Sequence, residues 1–106
     1  MSEGAITGPD AGTLTDPAPA PHGPEVLQRL VSLPVYGWRY RDEPEGVRHL
    51  GPMAQEFMAA FGLGDDDRKI MCVDANGVLV VAVQALVRRI VELEARISAL
   101  EARPAP

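Results

Sequence analysis

At 106 residues the chain has room for one small domain. Its net charge of −5, with Lys69 as the single lysine, excludes a general binder of phosphate backbones, which needs clustered Lys and Arg. No apolar run approaches membrane-spanning length, no basic-then-apolar leader opens the chain, and one cysteine, Cys72, cannot form an internal disulfide.

Residues 1–24 are rich in Gly and Pro (Gly4, Gly8, Gly12, Gly23, Pro9, Pro17, Pro19, Pro21, Pro24), with Ile6 and Leu14 as the large apolar residues. Such a segment buries too little surface to offset its ordering entropy, so a disordered tail or linker is expected. A compact α+β head is expected over 25–78 and a coiled-coil helix over 79–103. The head, about 50 residues, is near the lower limit for a self-sufficient core, and oligomerisation is the stabiliser left to it.

Pro24 at a first helical position and Glu25 at the positive end predict a helix, with Val26, Leu27, Leu30, Val31 and Leu33 on its apolar face and Pro34 as its stop. Val35 to Tyr40 alternates, placing Tyr36, Trp38 and Tyr40 on one face of a strand. Asp42-Glu43-Pro44-Glu45-Gly46 reads as a turn and Val47 to Leu50 as a second strand, making a hairpin. Gly51-Pro52 breaks that strand and opens a helix with Met53, Ala54, Phe57, Met58 and Phe61 on one face, ended by Gly62 or Gly64. Asp65 to Asp67 is a loop, Lys69 to Val73 a short extended segment, and Asp74-Ala75-Asn76-Gly77 a turn.

The last quarter is a heptad repeat. Val83, Ile90 and Ile97 occupy a; Leu79, Leu86, Leu93 and Leu100 occupy d. This stripe winds left-handed around copies of itself. The predicted helix runs from about Val78 to Arg103, roughly 37 Å. Arg89, Arg96 and Arg103 stand at g, Glu94 and Glu101 at e. In a parallel coil Arg89 then meets Glu94 of a partner and Arg96 meets Glu101, setting register.

Other candidate sites read as structural. The aspartates Asp65–Asp67 with Asp74 lack the ligand alternation of a calcium loop, so no metal and no cofactor is expected. Ser32 has no base beside it, His22 lies in the tail, and Cys72 sits in an apolar setting that suits a core position. His49 reads as a partly buried polar residue at a strand end, and the Tyr36/Trp38/Tyr40 stripe as packing.

Four blocks in order resemble one family. His49-Leu50-Gly51-Pro52-Met53-Ala54-Gln55-Glu56-Phe57 resembles the H-[IL]-G-P-x-A-Q-[ED]-F signature of the peptidase S74 domain, the intramolecular chaperone at the C-terminus of phage endosialidases, tailspikes and tail fibres. Leu33 to Tyr40 resembles its L-P-v-x-x-W-x-Y strand, which contains Trp38 and Tyr40. Val73 to Val78, with Asp74 and Gly77, and Ala82 to Leu86 resemble the approach to its terminal coil. The resemblance spans about residues 25–103.

It implies an α+β head with a long C-terminal helix in a parallel trimeric coiled coil, a homotrimer that nucleates and registers a fibre or tailspike segment. No nucleic acid or membrane partner is implied. The location it implies is cytoplasmic during assembly, or on a virion tail or phage-derived particle. Many members cut themselves at their N-terminal boundary with a Ser-Asp-x-x-x-Lys motif. Ala18 to Pro24 holds neither serine nor lysine, so no self-cleavage by that route is expected and the chain is not expected to be an enzyme. Met1 opens the Pro/Gly-rich tail, so no upstream fibre domain is expected. An autoprotease using other residues remains the alternative, as does a dimeric adaptor binding through its aromatic face. Val/Ile at a with Leu at d favours dimers in simple zippers. Against that, Arg89-Ile90-x-x-Leu93-Glu94 and Arg96-Ile97-x-x-Leu100-Glu101 resemble an Arg-h-x-x-h-Glu pattern of trimeric coils.

Overall fold

The computed structural model describes residues 9–104. The disorder expected of residues 1–8 lies outside them. Residues 9–22 are exposed throughout and hold a single 3-10 turn, Ala11–Thr13. The Asp10 side chain caps it by accepting from the Gly12 amide at 3.0 Å.

Helix α1 is Gly23–Ser32. Pro24 sits in its first turn, Arg29 pairs with Glu25 at 2.6 Å, and the Ser32 hydroxyl donates back to the Gln28 carbonyl at 3.1 Å. The expected apolar face splits in two. Val26 is buried, with Leu30 and Leu33 packed against the core, whereas Val31 is 78% exposed.

The hairpin is shorter than the alternation suggested. Strand β1 is Tyr36–Trp38 and β2 is His49–Gly51, antiparallel, with Tyr36 opposite Gly51 and Trp38 opposite His49. Turns consume the expected outer residues. The Glu43 amide donates to the Tyr40 carbonyl at 3.1 Å, and the Val47 amide to the Pro44 carbonyl at 3.1 Å. Gly51 belongs to the ladder rather than breaking it. Helix α2, Ala54–Phe61, opens later than expected, with Met53 as its extended N-cap. Gly62 ends it in the left-handed conformation (φ 62°), its amide donating to the Met58 carbonyl at 2.8 Å.

The largest correction concerns α3, which is Cys72–Glu101. At 1.5 Å per residue its 30 residues span about 45 Å. Cys72 and Val73 are helical rather than extended, and Asp74-Ala75-Asn76-Gly77 is not a turn. The amides of Asp74 and Ala75 both donate to the Met71 carbonyl at 3.0 Å, and Asp74 sits in the first turn, where a carboxylate suits the helix dipole. A helical glycine costs about 0.5–1 kcal/mol relative to alanine. Packing of Val78 one position later outweighs that cost. Cys72 is exposed on the opening turn and is not a core residue.

The core is small: Val26 of α1, Phe57 of α2 and Val78 of α3 are buried, with Leu30, Leu33, Phe61, Ile70 and Val81 against them. Along α3, Ala82 and Ala85 are buried too. Their small side chains let α1 approach closely; a Cβ added at Gly23 would lie 3.3 Å from that of Ala85. The helix runs unbroken from the head core into its exposed half.

Candidate functional site

At 100° per residue, Val78, Val81, Ala82 and Ala85 fall at c, f and g of the heptad, on the outer side and the g flank of the helix rather than on the a/d stripe. The head therefore covers one face of α3 and leaves the other bare. Leu79, Val83, Leu86, Ile90, Leu93, Ile97 and Leu100 are all exposed, by between 41% and 60%. Every residue beyond Leu86 on this helix is exposed. Large contiguous apolar patches on a chain mark interaction surfaces. Arg89 bonds Glu92 at 3.1 Å within its own helix, and both side chains are more than half exposed.

A second constellation lies on the hairpin. Trp38 faces His49 across the ladder, with ring centroids 4.7 Å apart, and meets the Tyr40 ring edge-on at 4.8 Å. Among the described residues, the Trp38 indole nitrogen is enclosed without a hydrogen-bond partner. Glu43 reaches back from the turn, and His49 Nε2 donates to both of its carboxylate oxygens at 2.8 Å. The Tyr40 amide donates to Glu43 Oε1 at 2.8 Å, while Arg39 Nη1 donates to the Glu43 carbonyl at 2.8 Å. The imidazole bond, first, and the Tyr40 amide bond hold the Glu43 carboxyl below its usual range.

The sequence reading missed Glu43, because nothing in local spacing separates it from Asp42 or Glu45. Tyr36 points elsewhere and donates to Glu56 Oε1 of α2 at 2.9 Å, which raises its own pKa and ties hairpin to helix. Arg29 Nη1 donates to the Ala60 carbonyl at 3.0 Å, tying α1 to the end of α2.

Because the folded Glu43 pKa is depressed, its contribution to stability is present above the unfolded value, 4.5, and is lost as pH falls through the folded value. Acid titration followed by Trp38 fluorescence is expected to show hairpin loosening below that pH in the native chain. Glu43→Gln should flatten this transition; an identical acid profile in both chains would remove Glu43 from the account.

The expected motif residues separate. Trp38, Tyr40 and His49 come together; Gly51 pairs with Tyr36; Pro52, Met53, Ala54 and Gln55 carry the chain from β2 into α2. Asp74 and Gly77 lie on α3 instead. A family comparison finds this hairpin-to-helix unit together with α1 and the segment before it: the model of Peptidase_S74, described as chaperone of endosialidase, matches residues 15–62. That span, 48 of the chain's 106 residues, resembles the Peptidase_S74 family.

The Peptidase_S74 match begins ten residues earlier than the sequence blocks suggested and stops at Gly62, so the blocks at Val73–Val78 and Ala82–Leu86 lie outside it. No curated protein and no solved structure matches the chain. Among the described residues no helix is long and apolar enough to cross a membrane.

Proposed function

We propose that this chain is a trimerising, chaperone-like module that brings three copies into parallel register and so nucleates assembly of an attached phage tail-fibre or tailspike segment. The observation that carries the reading is the exposed a/d stripe of α3, turned away from the head. The match of residues 15–62 to a family described as chaperone of endosialidase supports it. Once three helices zip together, contacts between attached segments become intramolecular, which raises their effective concentration. Arg89 with Glu94 and Arg96 with Glu101 set the register, with Arg89 exchanging Glu92 for a partner's carboxylate. The apolar stripe is wider than a two-stranded seam requires, because Val80 and Val87 at e are exposed beside it. That width favours three strands.

Assembly here proceeds without self-cleavage. The family match begins at Thr15-Asp16, a hydroxyl followed by a carboxylate. The Ser-Asp-x-x-x-Lys spacing then sets Ala20 where the lysine base would stand. A hydroxyl without a base is a weak nucleophile. Tyr36 is tied to Glu56 and Trp38 packs on His49; Tyr36 and Tyr40 stay exposed, but as an apolar surface they are far smaller than the a/d stripe of α3, which disfavours an adaptor role.

Light scattering on a size-exclusion column over a dilution series tests the reading. A mass of three chains, independent of concentration, is expected. A dimer or a single chain would overturn it. Fused behind a fibre segment, the module should also stay intact on a denaturing gel; a discrete cleavage product would restore the autoprotease reading.

A further inference from the structure

Two apolar lines remain unpartnered after the head and the a/d seam are accounted for. On α1, Pro24, Leu27 and Val31 follow helical spacing on the side away from the core. With Arg89 and Glu92 they line an open groove of about 510 Å³ between α1 and α3. On α3, Val80 and Val87 at e, then Val91 at b, form a ridge, each residue more than half exposed. Within one chain the two cannot meet. Arg89 and Glu92 sit at g and c, on one flank of the seam, and the ridge sits on the other.

We propose that the α1/α3 groove of each chain receives the Val87–Val91 ridge of the next chain, so that α1 lies in the outer furrow between two neighbouring α3 helices. This rests on the parallel, in-register assembly proposed above. In that arrangement the g flank of one helix faces the e flank of the next, and equal residue numbers stand at equal heights. The groove, whose α3 wall is Arg89 and Glu92, is then level with Val87 and Val91 of a second copy.

Charge fits as well. Arg89 at the groove's rim faces Glu94, which follows the ridge at the next e position. The e positions change character at this height, from Val80 and Val87 to Glu94 and Glu101. They are apolar where α1 can cover them and charged beyond its reach. In the three-chain assembly the contact is heterologous and closes on itself around the threefold axis, so the head adds to the interface that the coil makes.

Disulfide trapping tests this in the full chain carrying Cys72→Ser. Leu27→Cys or Val31→Cys is combined with Val87→Cys or Val91→Cys, and each variant is oxidised mildly and run on a non-reducing gel, with its reduced mass measured by light scattering. A covalent ladder reaching three chains is expected from at least one pairing, and none from chains with a single introduced cysteine. A three-chain reduced mass with no ladder from any pairing overturns the groove contact and leaves the assembly reading intact. A single-chain reduced mass in the Cys72→Ser background overturns both. Val31→Glu gives a check without disulfide chemistry. The site is exposed in the single chain, so the head should fold, while dissociation, followed to dilutions below those at which the parent chain keeps a three-chain mass, should move to about tenfold higher concentration. Dissociation unchanged from the parent chain would also overturn the contact.

Discussion

Replacing Ile90 and Leu93 together with Asp is expected to leave a chain of single-copy mass at every concentration. Both side chains are exposed in the isolated chain, so neither supports the head. In the assembly each would be buried, and full burial of such a side chain contributes about 1.5–3 kcal/mol. Three copies lose six of them and gain six carboxylates around one axis, where unpaired charges are costly. The folded head should survive, with Trp38 still packed on His49. Helix content should fall, because α3 beyond Glu92 has no partner on its own chain and a short isolated helix is marginal in water. Light scattering reads the mass and circular dichroism the helix loss. A variant that still assembles in threes would show that the seam is not the interface.

Phe57→Ala attacks the head instead. Phe57 is 4% exposed and stands between Val26 of α1 and Val78 of α3, with the Phe61 ring 5.0 Å away. Truncating a buried Phe costs about 3–5 kcal/mol in transfer and cavity energy. A core of three buried large residues has little reserve against such a loss. Urea unfolding followed by Trp38 fluorescence is expected to shift to a much lower midpoint, or the head to be unfolded without denaturant. Leu50→Ala is the control: at 81% exposed it should change stability by no more than about 0.5 kcal/mol. Equal midpoints for the two variants would contradict the core described here. The two experiments separate the halves of the molecule, since the first breaks assembly with the head folded and the second breaks the head.

The elements most legible in the sequence were those with a strong local signal. Pro24 and Pro34 bracket α1 to within a residue or two, and Gly62 ends α2 because its left-handed conformation carries little cost for glycine. The tyrosine and tryptophan alternation located β1 but not its length, because Tyr40 and Val47 are held by turn hydrogen bonds that alternation does not reveal. Asn76-Gly77 has turn chemistry and yet lies inside a helix. Local propensity there is weak, and burial of Val78, Ala82 and Ala85 against the head decides the outcome. His49 and Trp38 were legible as motif residues, whereas Glu43, which completes their cluster, is one acidic residue among several in a turn.

The sequence by itself determined the heptad. A seven-residue period in apolar side chains makes one stripe on any α-helix, whatever surrounds it. It also carried the Peptidase_S74 resemblance through the residues around His49. Only the tertiary structure decided which face of α3 the head takes, because that depends on how the small residues Gly23, Ala82 and Ala85 admit α1 against the helix. It alone showed that the head takes the c, f and g side of the helix and leaves the a/d stripe uncovered. It likewise split the apolar face of α1 into an inward line and an outward one. Periodicity tells which residues share a side of a helix; which neighbour that side meets is fixed by packing between elements distant in sequence.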